Sequence, residues 1–166
     1  MSLKLIYYGQ NDGSTVPEAS LTGDPGTDQT TLTSAGFLGG KIMALGAATL
    51  AQNTSVSIQP CDSASMVPYA TLLNGPGEFS GAIGPSGSRK APCVRAMWAG
   101  IVDSQAFAGA YTSFTIGGYL YCGAGANKGM YVGAPAGTGS YEIVPVGICT
   151  HVPTTSEPWL GVASLL

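Results

Sequence analysis

The sequence has very little charge. Of its 166 residues, only 9% are Asp, Glu, Lys or Arg, whereas typical soluble domains contain roughly 25%. Monomeric domains usually stay soluble by covering their surface with charged side chains. A chain this poor in charge must instead expose Ser, Thr, Gly and Asn, or bury much of its surface against partners, and we favour burial. The few basic residues are scattered, so no basic stripe is available to follow a nucleic-acid backbone.

The chain also has few of the side chains on which enzymes depend. His151 is the one histidine, so a zinc site or a Ser-His-Asp triad would have a single imidazole candidate. The glycine-rich stretches 36–41 and 123–129 depart from the spacings of phosphate-binding and dinucleotide-binding loops. The acidic residues are dispersed and form no obvious pair. We therefore predict that the protein is not an enzyme and binds no cofactor or metal.

Close cysteine pairs and long apolar runs are absent as well. Cys61, Cys93, Cys122 and Cys149 lie far apart, whereas metal-binding cysteines usually occur in closely spaced pairs. We interpret them as free thiols in a reducing cytoplasm. The longest uncharged stretch, 104–127, is rich in Gly, Ser and Thr and does not predict a membrane span. The apolar N-terminus is too short for the core of a signal peptide.

Glycine, proline and short apolar segments are abundant. The chain has 25 Gly and 11 Pro, and its hydrophobic fraction is 45%. Many short strands joined by tight turns explain this composition better than disorder does. The predicted fold is all-β: a small β-barrel or sandwich of short strands with Gly- and Pro-rich turns and an extended N-terminal arm.

Alternating and apolar segments give the positions of the predicted strands. Pro145 lies inside one of them, which predicts an edge strand or a bulge at that position. Short helices are predicted as possible at 44–52 and 104–110. The predicted strands after the N-terminus are 39–45, 55–59, 67–73, 94–102, 114–121, 129–132, 141–149 and 159–166.

The first 35 residues differ in character from the rest of the chain. Residues 1–8 (MSLKLIYY) are mostly apolar and are typical of a strand or an arm. Residues 14–34 are polar, and a loop of this length is usually functional or ordered by a partner. We therefore divide the chain into an N-terminal arm with an extended loop, 1–35, and a single β-barrel domain, 36–166.

The order of segments in the second half is similar to that of a known family. The strand IGGYLY at 116–121 is followed by a glycine-rich stretch, by VGIC at 146–149 and by a closing aliphatic segment LGVASLL at 160–166. This order resembles the small β-barrel head decoration proteins of tailed phages, the lambda-type trimeric cement family and its relatives. The resemblance covers about 114–166 and, more loosely, 39–73.

The resemblance implies a structural virion protein that is made in the host cytoplasm and sits on the outer capsid surface as a homotrimer. Such a protein binds the major capsid protein and stabilises the expanded shell by bridging its subunits, with weak contacts combined through multivalency. Low charge is consistent with this function because interface cores are depleted of charge. We expect the N-terminal arm to contact the shell by pairing onto a neighbour's strand edge, through Leu3, Leu5, Ile6, Tyr7 and Tyr8.

Two alternatives remain open. Another virion structural protein, such as a tail-tube, fibre-base or capsid subunit, would share the all-β composition and differ in its oligomeric state. A carbohydrate-binding β module would place aromatic rings, such as those of Trp98 and Trp159, on an exposed platform. Trp98 lies within an apolar segment and Trp159 at the start of a strand, so we favour core positions for both.

Overall fold

The structure is a computed structural model that describes residues 3–8, 18–21, 29–46, 57–73, 90–94 and 98–166. These ranges contain strands, turns and one short α-helix, which confirms the predicted all-β class. The elements in chain order are β1 (Leu3–Tyr8), β2 (Glu18–Leu21), α1 (Gln29–Ser34), β3 (Ile42–Leu45), β4 (Ser57–Pro60), β5 (Pro68–Leu72), β6 (Lys90–Val94), β7 (Trp98–Val102), β8 (Tyr119–Cys122), β9 (Tyr131–Val132), β10 (Pro145–His151) and β11 (Leu160–Ser164).

The strands form two sheets. One is a six-stranded sheet in the order β1-β7-β11-β10-β8-β9, in which all neighbours are antiparallel. The other is a closed five-stranded barrel in the order β2-β4-β3-β5-β6, closed by the pairing of β6 with β2. The pairing of β2 with β4 is parallel, and the other barrel pairings are antiparallel.

Alternating burial shows why these segments form strands. In β7 the side chains of Trp98 and Val102 are buried, whereas Ala99 and Ile101 between them are partly exposed. In β8 Leu120 and Cys122 are buried in the same way. Successive side chains of a strand point to opposite faces, so this alternation directs one face of the six-stranded sheet into the core.

The larger of two buried clusters joins the sheet to the barrel. It combines Trp98, Leu120 and Val162 of the sheet with Ile42 and other barrel residues. Each fully buried side chain of this size contributes about 1.5–3 kcal/mol relative to an exposed one. The smaller cluster fills the barrel and consists of Leu32, Phe37, Met43, Ile58, Ala70, Leu72 and Cys93. Trp98 lies in the larger cluster, which confirms its predicted core position.

The described part of the N-terminal segment is not a separate arm. Strands β1 and β2 and helix α1 all lie within 1–35, and both strands pair with strands from 36–166. Leu32 of α1 is buried in the barrel cluster. The predicted arm is thus corrected for these residues: β1 lies in the six-stranded sheet and β2 closes the barrel. The apolar residues of β2, Ala19 and Leu21, alternate with polar ones over only four residues, which is too short a pattern to predict a strand within a polar stretch.

Three other sequence predictions require correction. The predicted strand 94–102 is two strands, because β6 belongs to the barrel and β7 to the sheet. The predicted helix at 104–110 is a turn with an isolated bridge. The predicted helix at 44–52 begins within β3, and its residues 47–52 lie outside the described residues. The bulge predicted at Pro145 is confirmed by a register shift between Pro145 and Gly147, although β10 is an interior strand.

Candidate interaction surface

The face of the six-stranded sheet that points away from the core is uncharged in its central strands. Tyr119 of β8 pairs with Ile148 of β10, Ile148 pairs with Ala163 of β11, and Ala163 pairs with Ala99 of β7. These side chains form a continuous row across four strands, and none of them is fully buried. We define the apolar sheet face as the set Ala99, Ile101, Tyr119, Tyr121, Ile148 and Ala163.

Large apolar side chains extend this face at one end of the sheet. Because β10 is antiparallel to β8 and β11, the start of β8, the start of β11 and the end of β10 lie at the same end. Ile116, just before β8, is 70% exposed, Trp159, just before β11, is 43% exposed, and Tyr119 is 56% exposed. The core position favoured for Trp159 from sequence is therefore wrong. Contiguous exposed apolar side chains usually mark a binding surface.

A second apolar surface lies at the opposite end of the sheet, where β10 begins and β11 ends. Tyr141, Ile143 and Val144 are exposed immediately before β10, and Leu165 is exposed immediately after β11. The backbone N–H of Leu165 donates to the carbonyl of Val146 at 3.0 Å, which places the two chain segments side by side. We call Tyr141, Ile143, Val144 and Leu165 the loop ridge.

The side chain of Glu142 is turned back into its own loop. Its carboxylate accepts the backbone N–H of Gly139 at 2.7 Å, between the exposed Tyr141 and Ile143. This contact leaves the apolar side chains of the ridge outermost. The loop ridge is not predicted from the sequence, because YEIV at 141–144 has the alternation of a strand and lies within the predicted strand 141–149.

The predicted interface residues Leu3, Leu5, Ile6, Tyr7 and Tyr8 all lie on β1, the outermost strand of the six-stranded sheet. Their strand pairs with β7 of the same chain, with Leu3 opposite Val102 and Tyr8 opposite Trp98. The observed pairing is within the chain's own sheet, and the predicted pairing onto a neighbour's strand edge stays a prediction. Among the described strands, β7 is the one partner of β1. A contact of β1 with a capsid shell stays a prediction.

His151 lies at the end of β10 and faces a carboxylate. Its Nε2 atom is 3.4 Å from Oε2 of Glu157, in the loop that leads to β11. Thr154 shapes this loop, because its Oγ1 accepts the backbone N–H of Glu157 at 3.0 Å. Within the described part of the chain, no three His, Cys, Asp or Glu side chains lie close enough to hold a metal ion.

The four cysteines are buried, and no disulfide joins any two of them. A hydrogen bond with Cys122 and burial both raise the pKa of the Cys61 thiol. Burial also raises the pKa of Cys149. Because the thiolate is the reactive and metal-binding form, these thiols are poor nucleophiles in the folded protein.

Comparisons with other proteins assign no function to this chain, so the functional inference is based on the geometry of the structure. A scan against protein-family models and searches of curated proteins and solved structures found no match to this chain. Of the helices in the described ranges, none has the length and apolar character needed to cross a membrane.

Proposed function

We propose that this protein is a structural virion protein, a capsid decoration protein that binds the outer surface of the major capsid protein and stabilises the expanded shell. The observation that carries the proposal is the apolar sheet face, whose uncharged side chains continue into the exposed Ile116 and Trp159. Such a surface is costly to leave in water and is stabilised by burial against a partner. The proposal involves no chemical reaction, and the absence of enzymatic activity stays a prediction.

The mechanism would be the burial of uncharged surface at several junctions at once. A stable protein–protein interface buries about 1,200–2,000 Å² in total, and apolar area contributes about 25 cal/mol per Å² before the costs of association. A bridging protein can use smaller contacts because the second contact forms within an assembly that already exists. A homotrimer would multiply these contacts around a symmetry axis of the shell.

The test is a pelleting assay that mixes purified protein with expanded and unexpanded heads of the encoding phage. We expect saturable binding to expanded heads at a fixed ratio to the major capsid protein. Tyr119→Lys, which adds a charge at the most exposed position of the row, should weaken binding at least about tenfold, because an unpaired charge would be desolvated.

Val67→Lys is the matched control for this substitution. Val67 is also exposed, and it lies between β4 and β5 of the barrel, outside the apolar sheet face. This variant should bind heads like the unmodified protein, and both variants should keep the unmodified melting temperature. The decoration proposal fails if the unmodified protein pellets with neither form of the head.

A carbohydrate-binding function is the second candidate, and the exposure of two aromatic rings favours it. Tyr119 and Trp159 are both exposed at the same end of the sheet, where they could stack on sugar rings. A glycan array followed by calorimetry tests this function. Saturable binding that is lost in Trp159→Ala and kept in Val67→Ala would favour the carbohydrate function over capsid decoration.

A further inference from the structure

Lys41 is held rigidly at the junction of the barrel and the six-stranded sheet. Its backbone N–H donates to the carbonyl of Leu38 at 3.2 Å, and its carbonyl accepts the N–H of Leu72 at 2.8 Å. The residue is only 8% exposed, which is rare for a lysine. The backbone of Lys41 is therefore fixed by hydrogen bonds on both sides of the residue.

The turn that carries Lys128 is packed against the side chain of Lys41. Gly129 donates its N–H to the carbonyl of Cys61 at 2.6 Å and accepts the N–H of Ile42 at 2.7 Å. Gly129 has a φ of +74°, and a Cβ atom at this position would lie 3.5 Å from Cδ of Lys41. These contacts bring the exposed Lys128 next to Lys41, close enough for its charge to act on the Lys41 ammonium.

Among the described residues, no carboxylate forms an ion pair with either lysine. Asp62 accepts the N–H groups of Ala64 and of Gly125, in the turn that leads to Lys128, and the other described carboxylates accept from or face other groups: Asp103 the N–H of Gln105, Glu142 that of Gly139, and Glu157 the imidazole of His151. Burial, followed by the charge of Lys128, lowers the pKa of Lys41. A largely buried lysine beside a second lysine carries its charge at a cost, which a negative group bound between them would offset.

We propose that Lys41 and Lys128 form a binding site for an oxyanion, a carboxylate or phosphate group that bridges the two ammonium groups. An oxyanion has several acceptor oxygens and can accept a charge-assisted hydrogen bond from each lysine. The group could come from a free anion or from an acidic side chain of a neighbouring subunit. The site shares no residue with the apolar sheet face, and its test does not depend on the decoration function.

The test is a titration of the purified protein with inorganic phosphate and with acetate, against sodium chloride at matched ionic strength. The readouts are the melting temperature and the amide NMR shifts of Lys41 and Gly129. We expect at least one oxyanion to raise the melting temperature more than chloride and to shift both amides. Stronger binding of acetate would indicate a carboxylate ligand, and stronger binding of phosphate would indicate a phosphoryl or free phosphate ligand.

Lys41→Met and Lys128→Gln should each weaken oxyanion binding about tenfold, because each removes one charge-assisted hydrogen bond. Lys4→Met is the matched control: Lys4 lies on β1, at the opposite edge of the six-stranded sheet from β9, which follows Lys128. The control should bind like the unmodified protein. Lys128 is exposed, so its variant reports on the site even if Lys41→Met does not fold. Equal binding in Lys128→Gln and the unmodified protein, or no preference over chloride, overturns the proposal.

Discussion

A buried hydrogen bond connects a side chain of the six-stranded sheet to a side chain of the barrel. The hydroxyl of Tyr131, on β9, lies 2.9 Å from Oγ1 of Thr71, on β5 of the barrel, and both residues are fully buried. A buried polar group is tolerated when it is paired and becomes costly when its partner is removed. The pair therefore makes stability depend on the correct docking of the sheet against the barrel.

The two hydroxyls of this pair should contribute to stability together and not independently. We expect Tyr131→Phe and Thr71→Val each to lower the free energy of unfolding by about 1–3 kcal/mol. Each substitution removes the hydrogen bond and leaves the other hydroxyl buried without its partner. The double variant should lose less than the sum of the two. Urea unfolding of the four proteins measures this, and strictly additive losses would show that the hydroxyls do not interact.

The same tyrosine should make stability sensitive to alkaline pH. Burial raises the pKa of Tyr131 above its ordinary value of 10.0. Because the folded state then holds the proton more tightly than the unfolded state, the stabilisation is complete below pH 10 and is lost as the pH rises above that value. The difference in unfolding free energy between the unmodified protein and Tyr131→Phe should therefore shrink between about pH 9 and pH 11. A constant difference over this range would contradict the assignment.

The cysteines should react with alkylating reagents only after unfolding. Cys61 and Cys122 are completely buried, and the pKa of Cys61 is raised by its hydrogen bond with Cys122 and by burial. Iodoacetamide at pH 8 should leave both thiols unmodified in the native protein and modify them in urea, as followed by mass spectrometry. Rapid native modification of Cys61 would show that this part of the core opens easily.

At the scale of the elements, the hairpin of β10 and β11 depends on one glycine. Gly161 pairs with His151 beside a bulge in β10. A Cβ atom at this position would approach the backbone nitrogen of His151 and Oγ1 of Thr150 to 2.5 Å each. Since one of these atoms belongs to a paired backbone, it cannot move away without disturbing the strand.

Gly161→Ala should therefore destabilise the protein by about 1–3 kcal/mol, the usual cost of forcing an extra methyl group into a packed site. Ala163→Ser is the matched control, because Ala163 lies on the same strand and is partly exposed; its effect should be below about 0.5 kcal/mol. Thermal unfolding of both variants tests this. If the two variants melt together, the strand adjusts to the methyl group and the close approach has no energetic consequence.

The elements that sequence analysis located are those with a strong local pattern. The buried side chains of β3, β5 and β11 and the bulge at Pro145 follow from apolar segments and from the missing N–H of proline. β2 could not be predicted because the alternation in EASL covers only four residues, and the segment is a strand through its pairing with β4 and β6, which are distant in sequence. The division of 94–102 between two sheets likewise depends on long-range pairing.

The candidate surface could be predicted in composition but not in position. Low charge predicted that some surface is covered by partners, and an aromatic platform for sugars was an open alternative to core positions for Trp98 and Trp159. Trp98 and Trp159 both stand in apolar surroundings in the sequence, yet one is in the core and the other is exposed. This difference is set by the strand order, which places the start of β11 beside the end of β10 at the rim of the sheet.

At the scale of the whole molecule, the apolar surfaces lie at two different places on one sheet. The apolar sheet face continues to the end where Ile116 and Trp159 lie, and the loop ridge occupies the opposite end. Two separated surfaces allow one protein to bind copies of itself and a shell at the same time, which a bridging protein requires. The shared core of sheet and barrel would hold both surfaces in a fixed relative position.

We expect the loop ridge to hold the copies of a homotrimer together and the apolar sheet face to contact the shell. Ile143→Lys should then convert the trimer to monomers in sedimentation experiments, whereas Tyr119→Lys should remain trimeric and lose binding to expanded heads. The Ile143→Lys monomer should bind heads more weakly than the trimer, since it loses multivalency while it keeps the shell contact.

If the Tyr119→Lys protein dissociates and the Ile143→Lys protein stays trimeric, the apolar sheet face forms the trimer contact and the loop ridge forms the shell contact. A protein that sediments as a monomer at every concentration would remove the trimer from the proposed function and require each copy to bind the shell independently.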